Sequence, residues 1–182
     1  RGRLSDSEFD RLTAFLKKEG ELVETQDREM ILLRGYPGYS EDPIVRDTDI
    51  RLRNTNGSCE IMVKRKASER NISRHETSLK LQDKHLDTVK DVLKAFGFNG
   101  GLWMHRKKEI YRYHDIEWSV VDVPGFRYFE AEIEVENKEG IDAAKVIIEK
   151  KAGELGLVVM TPEQVRDFIY ELDKAVNKDI EW

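Results

Sequence analysis

Basic side chains recur two positions apart in several short stretches of this chain. Arg51 and Arg53 are so spaced, as are Lys64 and Lys66, and Arg106 and Lys108. Arg74 precedes Glu76 by the same interval, and Glu130, Glu132 and Glu134 form an acidic counterpart. Successive side chains of a β-strand point to opposite faces, so each set occupies one face of its strand. Arginine and lysine suit phosphate oxygens, arginine bidentately. Clustered carboxylates suit a hard divalent cation such as Mg²⁺ or Mn²⁺, which brings phosphates with it. The two signs are also segregated along the chain: bases dominate from Arg46 to Lys66, acids from Glu130 to Glu139.

The opposite faces of the same stretches are apolar. Ile50 and Leu52 oppose Arg51 and Arg53; Cys59, Ile61 and Val63 oppose Lys64 and Lys66; Ala131, Ile133 and Val135 oppose the glutamates. One reading is an antiparallel sheet with its charged face solvated, the ordinary case. The other is a sheet closed into a barrel, charged faces inward and apolar faces covered by helices. A charged lumen requires water, a polyanion and metal ions, because unpaired buried ions cost several kcal/mol each.

The elements that must carry these faces are legible. Ser5 and Glu8 form a capping box ahead of Phe9, Leu12 and Leu16, and Gly20 ends that helix. A second opens at Asp83, with Leu86, Val89, Leu93 and Phe96 on one stripe and Gly97 stopping it. A third runs from Ile141 through Ala144 and Ile148 to Leu155. The last begins at Thr161-Pro162-Glu163-Gln164 and carries Val165, Phe168, Ile169, Leu172 and Val176. Strands are expected over 30–34, 48–55, 58–66, 71–81, 103–113, 116–123, 128–136 and 157–160. Asn56-Gly57 joins two of them as a hairpin. Short links mean antiparallel pairing, no βαβ alternation is present, and 35–47 is the one long loop. The class is α+β: a large antiparallel sheet with helices at its ends and sides, in one domain over residues 1–182.

Composition narrows the function. Of 182 residues, 39% are hydrophobic and 37% charged, a pattern of a globular rather than a disordered chain. Cys59 is the only cysteine, which excludes a disulfide framework and a cysteine-based zinc site. It is expected to face the helices and be inert. No run approaches the roughly 18 apolar residues of a membrane span. A net charge of -5 argues against coating nucleic acid. The reading is a soluble, cytoplasmic protein with no membrane partner and no nucleic-acid partner, a homodimer being allowed. His75, His85, His105 and His114 show no metal spacing, Trp103 and Trp118 read as core, and the parity of Asp122 disagrees with that of Glu117 and Ser119.

Taken in order, Asp47-Thr48-Asp49-Ile50-Arg51-Leu52-Arg53, Lys64-Arg65-Lys66, Arg74-x-Glu76, Arg106-x-Lys108-x-x-Tyr111 and Pro124-Gly125-Phe126 leading to Glu130-Ala131-Glu132 resemble the CYTH superfamily. This group of triphosphate tunnel metalloenzymes includes class IV adenylate cyclases, thiamine triphosphatases and bacterial tripolyphosphatases. The resemblance implies an eight-stranded antiparallel β-barrel, or tunnel, with helices packed outside. By position it implies that Arg51, Arg53, Lys64, Lys66, Arg74, Arg106 and Lys108 clamp phosphate oxygens. Glu130 and Glu132, with Glu76 and Glu134, would ligate Mg²⁺ or Mn²⁺, and Glu130, Glu132 and Lys64 are the catalytic candidates. Phosphoryl transfer is mostly positioning plus charge neutralisation, which a basic cage with metal ions supplies.

The chain departs from that family at its start, where an E-x-E-x-K strand is expected and none is found. Arg1-Gly2-Arg3-Leu4 sits where that strand should end, so Arg1 or Arg3 stands for the lysine and Arg3 joins the substrate-binding set. The glutamates then lie upstream of residue 1, as in a fragment beginning without methionine, or are absent. The expected activity is metal-dependent hydrolysis of tripolyphosphate, thiamine triphosphate or a nucleoside triphosphate. The alternatives are an adenylate cyclase and a non-catalytic module binding polyphosphate or nucleotide. An RNA-binding sheet is disfavoured by the acidic net charge and the lack of flanking aromatic pairs.

Overall fold

The computed structural model describes residues 1–43, 45–66, 74–82, 86–135 and 139–182. In chain order the elements are β1 (Gly2–Leu4), α1 (Asp6–Glu19), β2 (Glu21–Leu33), β3 (Thr48–Thr55), β4 (Ser58–Lys66) and β5 (Arg74–Lys80). Then follow α2 (Leu86–Ala95), β6 (Gly100–Tyr113), β7 (Ile116–Val123), β8 (Phe126–Glu132), α3 (Glu139–Glu154), α4 (Pro162–Val176) and β9 (Lys178–Glu181). The class is α+β, as expected, with nine strands among the described residues rather than eight. The expected element starts at Asn71 and Asp83, and the strand end at Glu136, lie outside the described residues.

The chain forms two compact units. One comprises Arg1–Gln26 with Arg106–Val165, the other Asp27–His105 with Arg166–Trp182. In the first unit the antiparallel order is β1-β8-β7-β6. Tyr111, Ile116, Trp118, Val120 and Phe129 turn to one side of these strands and bury with Leu12 and Leu16 of α1 and Ala152 of α3. The α1 cap is formed as expected: the Glu8 N–H donates to Ser5 Oγ (3.3 Å) and the Ser5 N–H to Glu8 Oε2 (2.8 Å).

In the second unit the order is β2-β3-β4-β5, with β9 antiparallel to β6. Its apolar side packs Ile31, Leu33, Leu52 and Cys59 against Val89 and Leu93 of α2, so Cys59 is buried under a helix as expected. The β3–β4 hairpin turns at Asn56 and Gly57, with φ of 51° and 83°. Both central residues of this kind of turn need positive φ, which asparagine and glycine tolerate best.

Three strand boundaries and two strand assignments differ from the sequence reading. β2 is 13 residues long rather than five, because its first half is a mostly exposed strand whose charged residues give no apolar alternation. β6 begins at Gly100 and β8 at Phe126, each earlier than expected. At Gly100 any Cβ would collide with the Ile180 carbonyl across the β6–β9 pair. β9 was not anticipated at all: its four residues are largely exposed and carry no periodicity. Residues 157–160 are not a strand, although the Met160 N–H donates to the Arg1 carbonyl (2.8 Å) alongside β1.

Candidate functional site

Register decides which side chains meet. Across β3, β4 and β5, Asp49 pairs with Lys64 and Lys64 with Glu76. Arg51 pairs with Met62 and then Ser78, Arg53 with Glu60 and then Lys80, and Lys66 with Arg74. Directly paired residues share a face. The phosphate-binding candidates Arg51, Arg53, Lys64, Lys66 and Arg74 therefore stand on one face with Glu76, opposite the apolar side under α2.

Arg51, Arg53, Lys64 and Arg74 are matched by acids of the same face. Arg53 pairs with Glu60 and Lys64 with Glu76. Asp49 is the centre of a larger group, its Oδ2 accepting from Arg51 Nη2 (2.7 Å) and facing Arg74 Nη1 (3.1 Å). Its Oδ1 accepts from Arg46 Nη1 (3.1 Å). Burial pushes the Asp49 carboxyl up, but the charges of Arg51, Arg74 and Arg46 outweigh it and hold it below the usual carboxylate range. Glu60 is likewise held down: hydrogen bonds from Arg53 and Ser78 overcome its desolvation. Arg51 Nε is buried and makes no hydrogen bond within the protein. An unsatisfied buried donor of this kind fits an anionic oxygen.

The first unit holds a charged face of its own. Arg3 pairs in register with Tyr128, Lys108 with Val121, Ser119 with Glu130 and Glu117 with Glu132. Glu130 accepts from Arg1 Nε (2.7 Å) and lies 3.7 Å from Lys108 Nζ. Arg106 is buried and hydrogen-bonded to Tyr128, whose hydroxyl is pushed up by burial and by Glu130, with Arg106 opposing. Arg3 and Glu132 share this face and are exposed, and Glu134 is exposed just beyond the end of β8.

Asp122 pairs with Arg127 (3.3 Å), which also binds Asp6 of α1, so it stands on the helix side as its parity indicated. His75 pairs in register with Arg65, on the face opposite Arg74 and Glu76. Trp118 is fully buried and Trp103 packs partly buried against the second unit's core.

The residues present bear on a metal as follows. Among the described residues no group of three or more His, Cys, Asp or Glu side chains converges tightly enough to hold an ion. Glu130 and Glu132, two apart on one strand face, supply two carboxylates. Mg²⁺ is commonly bound by one or two carboxylates, with water and substrate phosphates completing its shell, so the donor set fits an ion that arrives with phosphate.

Sequence reasoning missed Asp49 and Arg46 as members of the charged group, while strand parity already set Glu60 on the face of Lys64 and Lys66. The signal was present for Asp49: it stands two residues before Arg51 and thus on the same face as Arg51 and Arg53. For Arg46, set in the long loop, strand parity gives no signal.

The sequence matches no protein-family model and no curated protein. Solved structures do match. The PH1819 protein of Pyrococcus horikoshii OT3 aligns over 93% of this chain and 96% of its own, at 22% identity and a TM-score of 0.74. A candidate adenylate cyclase of Vibrio parahaemolyticus aligns over 86% of each chain, at 13% identity and a TM-score of 0.64. The chain shares its fold with these proteins. Another such neighbour is HpAC1 of Hippeastrum, a candidate adenylyl cyclase with a dominant triphosphatase activity. It covers 86% of this chain and 85% of its own, at 17% identity and a TM-score of 0.55.

Proposed function

We propose that this CYTH-like chain hydrolyses a triphosphate by cleaving a phosphoanhydride bond with the help of Mg²⁺ or Mn²⁺. The observation that carries the reading is the single face of β3–β5 on which Arg51, Arg53, Lys64, Lys66 and Arg74 stand together, with Arg51 Nε buried and lacking an acceptor. The triphosphatase activity of the Hippeastrum neighbour supports it.

In the second unit, Arg51 and Arg74 donate to phosphate oxygens in planar, paired fashion, and Lys64 and Lys66 act as point charges. In the first unit, Arg106 and Lys108 would add positive charge, and Glu130 and Glu132 would hold the divalent ion, which would supply neutralisation of phosphate charge and activation of water. In the hydrolysis a water oxygen bonds to the terminal phosphorus as the anhydride P–O bond breaks. Its proton passes to a carboxylate, and the shortened polyphosphate leaves as an anion stabilised by the lysines and arginines. Because Lys64 and Arg53 already face acids at rest, phosphate must replace carboxylate as their partner, which favours a ligand of high charge density.

Release of phosphate and pyrophosphate from tripolyphosphate, thiamine triphosphate and ATP tests this, with Mg²⁺ or Mn²⁺ and a Glu130→Gln/Glu132→Gln control. Metal-dependent phosphate release that vanishes in the control is the expected result. Pyrophosphate release from ATP alone would favour a cyclase, the reading suggested by the Vibrio neighbour. Tight binding without turnover would reduce the protein to a polyphosphate-binding module.

A further inference from the structure

The Asp49 carboxylate is 4% exposed and has no room to reach a ligand. Both of its oxygens are occupied: Oδ1 by Arg46, and Oδ2 by Arg51 at 2.7 Å and Arg74 at 3.1 Å. Two guanidinium groups thus converge on one oxygen atom, an arrangement that their mutual repulsion would otherwise forbid. Three cations around one anion leave two positive charges in the cluster. Asp49 itself is fixed from behind. Buried Arg46 donates from Nε to the Ser40 carbonyl (2.6 Å) and from Nη2 to the Glu41 carbonyl (3.0 Å), and lies 5.1 Å from the centre of the Tyr39 ring. Arg74 reaches the same loop through the Pro43 carbonyl (3.4 Å).

We propose that Asp49 is a positioning residue for the phosphate chain. By sharing Oδ2 it holds the Arg51 and Arg74 guanidinium groups side by side, so that their remaining N–H donors meet oxygens of adjacent phosphates in one triphosphate. The loop over 35–47 takes part through Arg46, which locks Asp49 in place. This inference rests on the triphosphate reading above. It carries a consequence that a merely structural aspartate lacks. Only a ligand bridging both guanidinium groups senses their separation, so disturbing Asp49 should harm binding of a chain of phosphates and spare a single one.

The test is calorimetric titration of tripolyphosphate and of orthophosphate into the wild type, Asp49→Glu, Arg51→Gln/Arg74→Gln and the triple variant, each shown to be folded by its melting curve. Asp49→Glu keeps the charge and displaces the carboxylate by one methylene. It should weaken tripolyphosphate by about tenfold, the scale of one charge-assisted hydrogen bond, and change orthophosphate by less than about twofold. In the Arg51→Gln/Arg74→Gln background the same change should cost less than about twofold, because the groups it positions are gone. Wild-type selectivity in Asp49→Glu, or an equal loss in both backgrounds, overturns the proposal. If Asp49→Glu does not fold, Arg46→Lys, which keeps the charge and loses the backbone anchors, should show the same chain-selective loss; wild-type selectivity there overturns it too. A wild type that binds no tripolyphosphate overturns the triphosphate reading itself, and this inference with it.

Discussion

Two carboxylates organise the two charged faces, and they do so differently. Asp49 is 4% exposed and surrounded by Arg46, Arg51 and Arg74. Glu130 is 14% exposed, held by Arg1 at 2.6 Å but by Lys108 only at 3.7 Å. The first is locked by a loop, and the second is more open to solvent. A buried acid with both oxygens engaged sets geometry, whereas a more open one can exchange partners. The same residue class therefore serves as scaffold in one unit and as candidate ligand in the other.

Removing charge at each position should expose the contrast. Asp49→Asn leaves Arg46 and its neighbours without their anion in a buried setting. It should destabilise the protein by about 3–5 kcal/mol, measured by urea unfolding. Glu130→Gln should leave the unfolding midpoint almost unchanged and reduce phosphate release by about 100-fold, the scale seen when one group stabilising transition-state charge is removed. Equal stability losses at the two positions would erase the distinction.

Smaller effects sharpen it. Arg51→Gln should weaken tripolyphosphate by about tenfold, read by calorimetry. The Asp49 contribution should also be pH-dependent. Its carboxyl is held lower in the folded state than the unfolded value of about 3.9, so its stabilisation is present above that pH and lost as pH falls through the folded value. Acid unfolding followed by circular dichroism should show this loss below about pH 4, and Asp49→Asn should abolish that part of it. Least of all, Ser5→Ala removes the α1 cap and should cost about 1 kcal/mol in urea unfolding without changing phosphate release.

What was legible in the sequence was whatever is periodic or capped. Ser5 and Glu8 announced α1, Asn56-Gly57 announced the hairpin, and strand parity assembled Arg51, Arg53, Lys64, Lys66 and Arg74 on one face before any register was known. What was not legible depends on tertiary neighbours. All of β9 is a strand because β6 pairs with it, not because its residues alternate, and the exposed outer half of β2 carries no apolar alternation either. Asp49 shared the parity of the arginines, but its role depends on Arg46, a loop residue brought to it by the fold. Glu130 shares the strand parity of Glu132 and Glu134, while its engagement with Arg1, 129 positions away, is a matter of β1–β8 register.

The tryptophans fall so that the molecule carries its own optical labels. Trp118 is fully buried in the first unit, and its indole N–H faces the Tyr113 carbonyl at 3.4 Å. Trp103 and Trp182 are partly buried in the second, bonded to Glu29 and to the Phe98 carbonyl. A Trp103→Phe/Trp182→Phe variant would emit from the first unit alone, and a Trp118→Phe variant from the second. Denaturation followed by the fluorescence of each would show whether one chain with two cores melts once or twice.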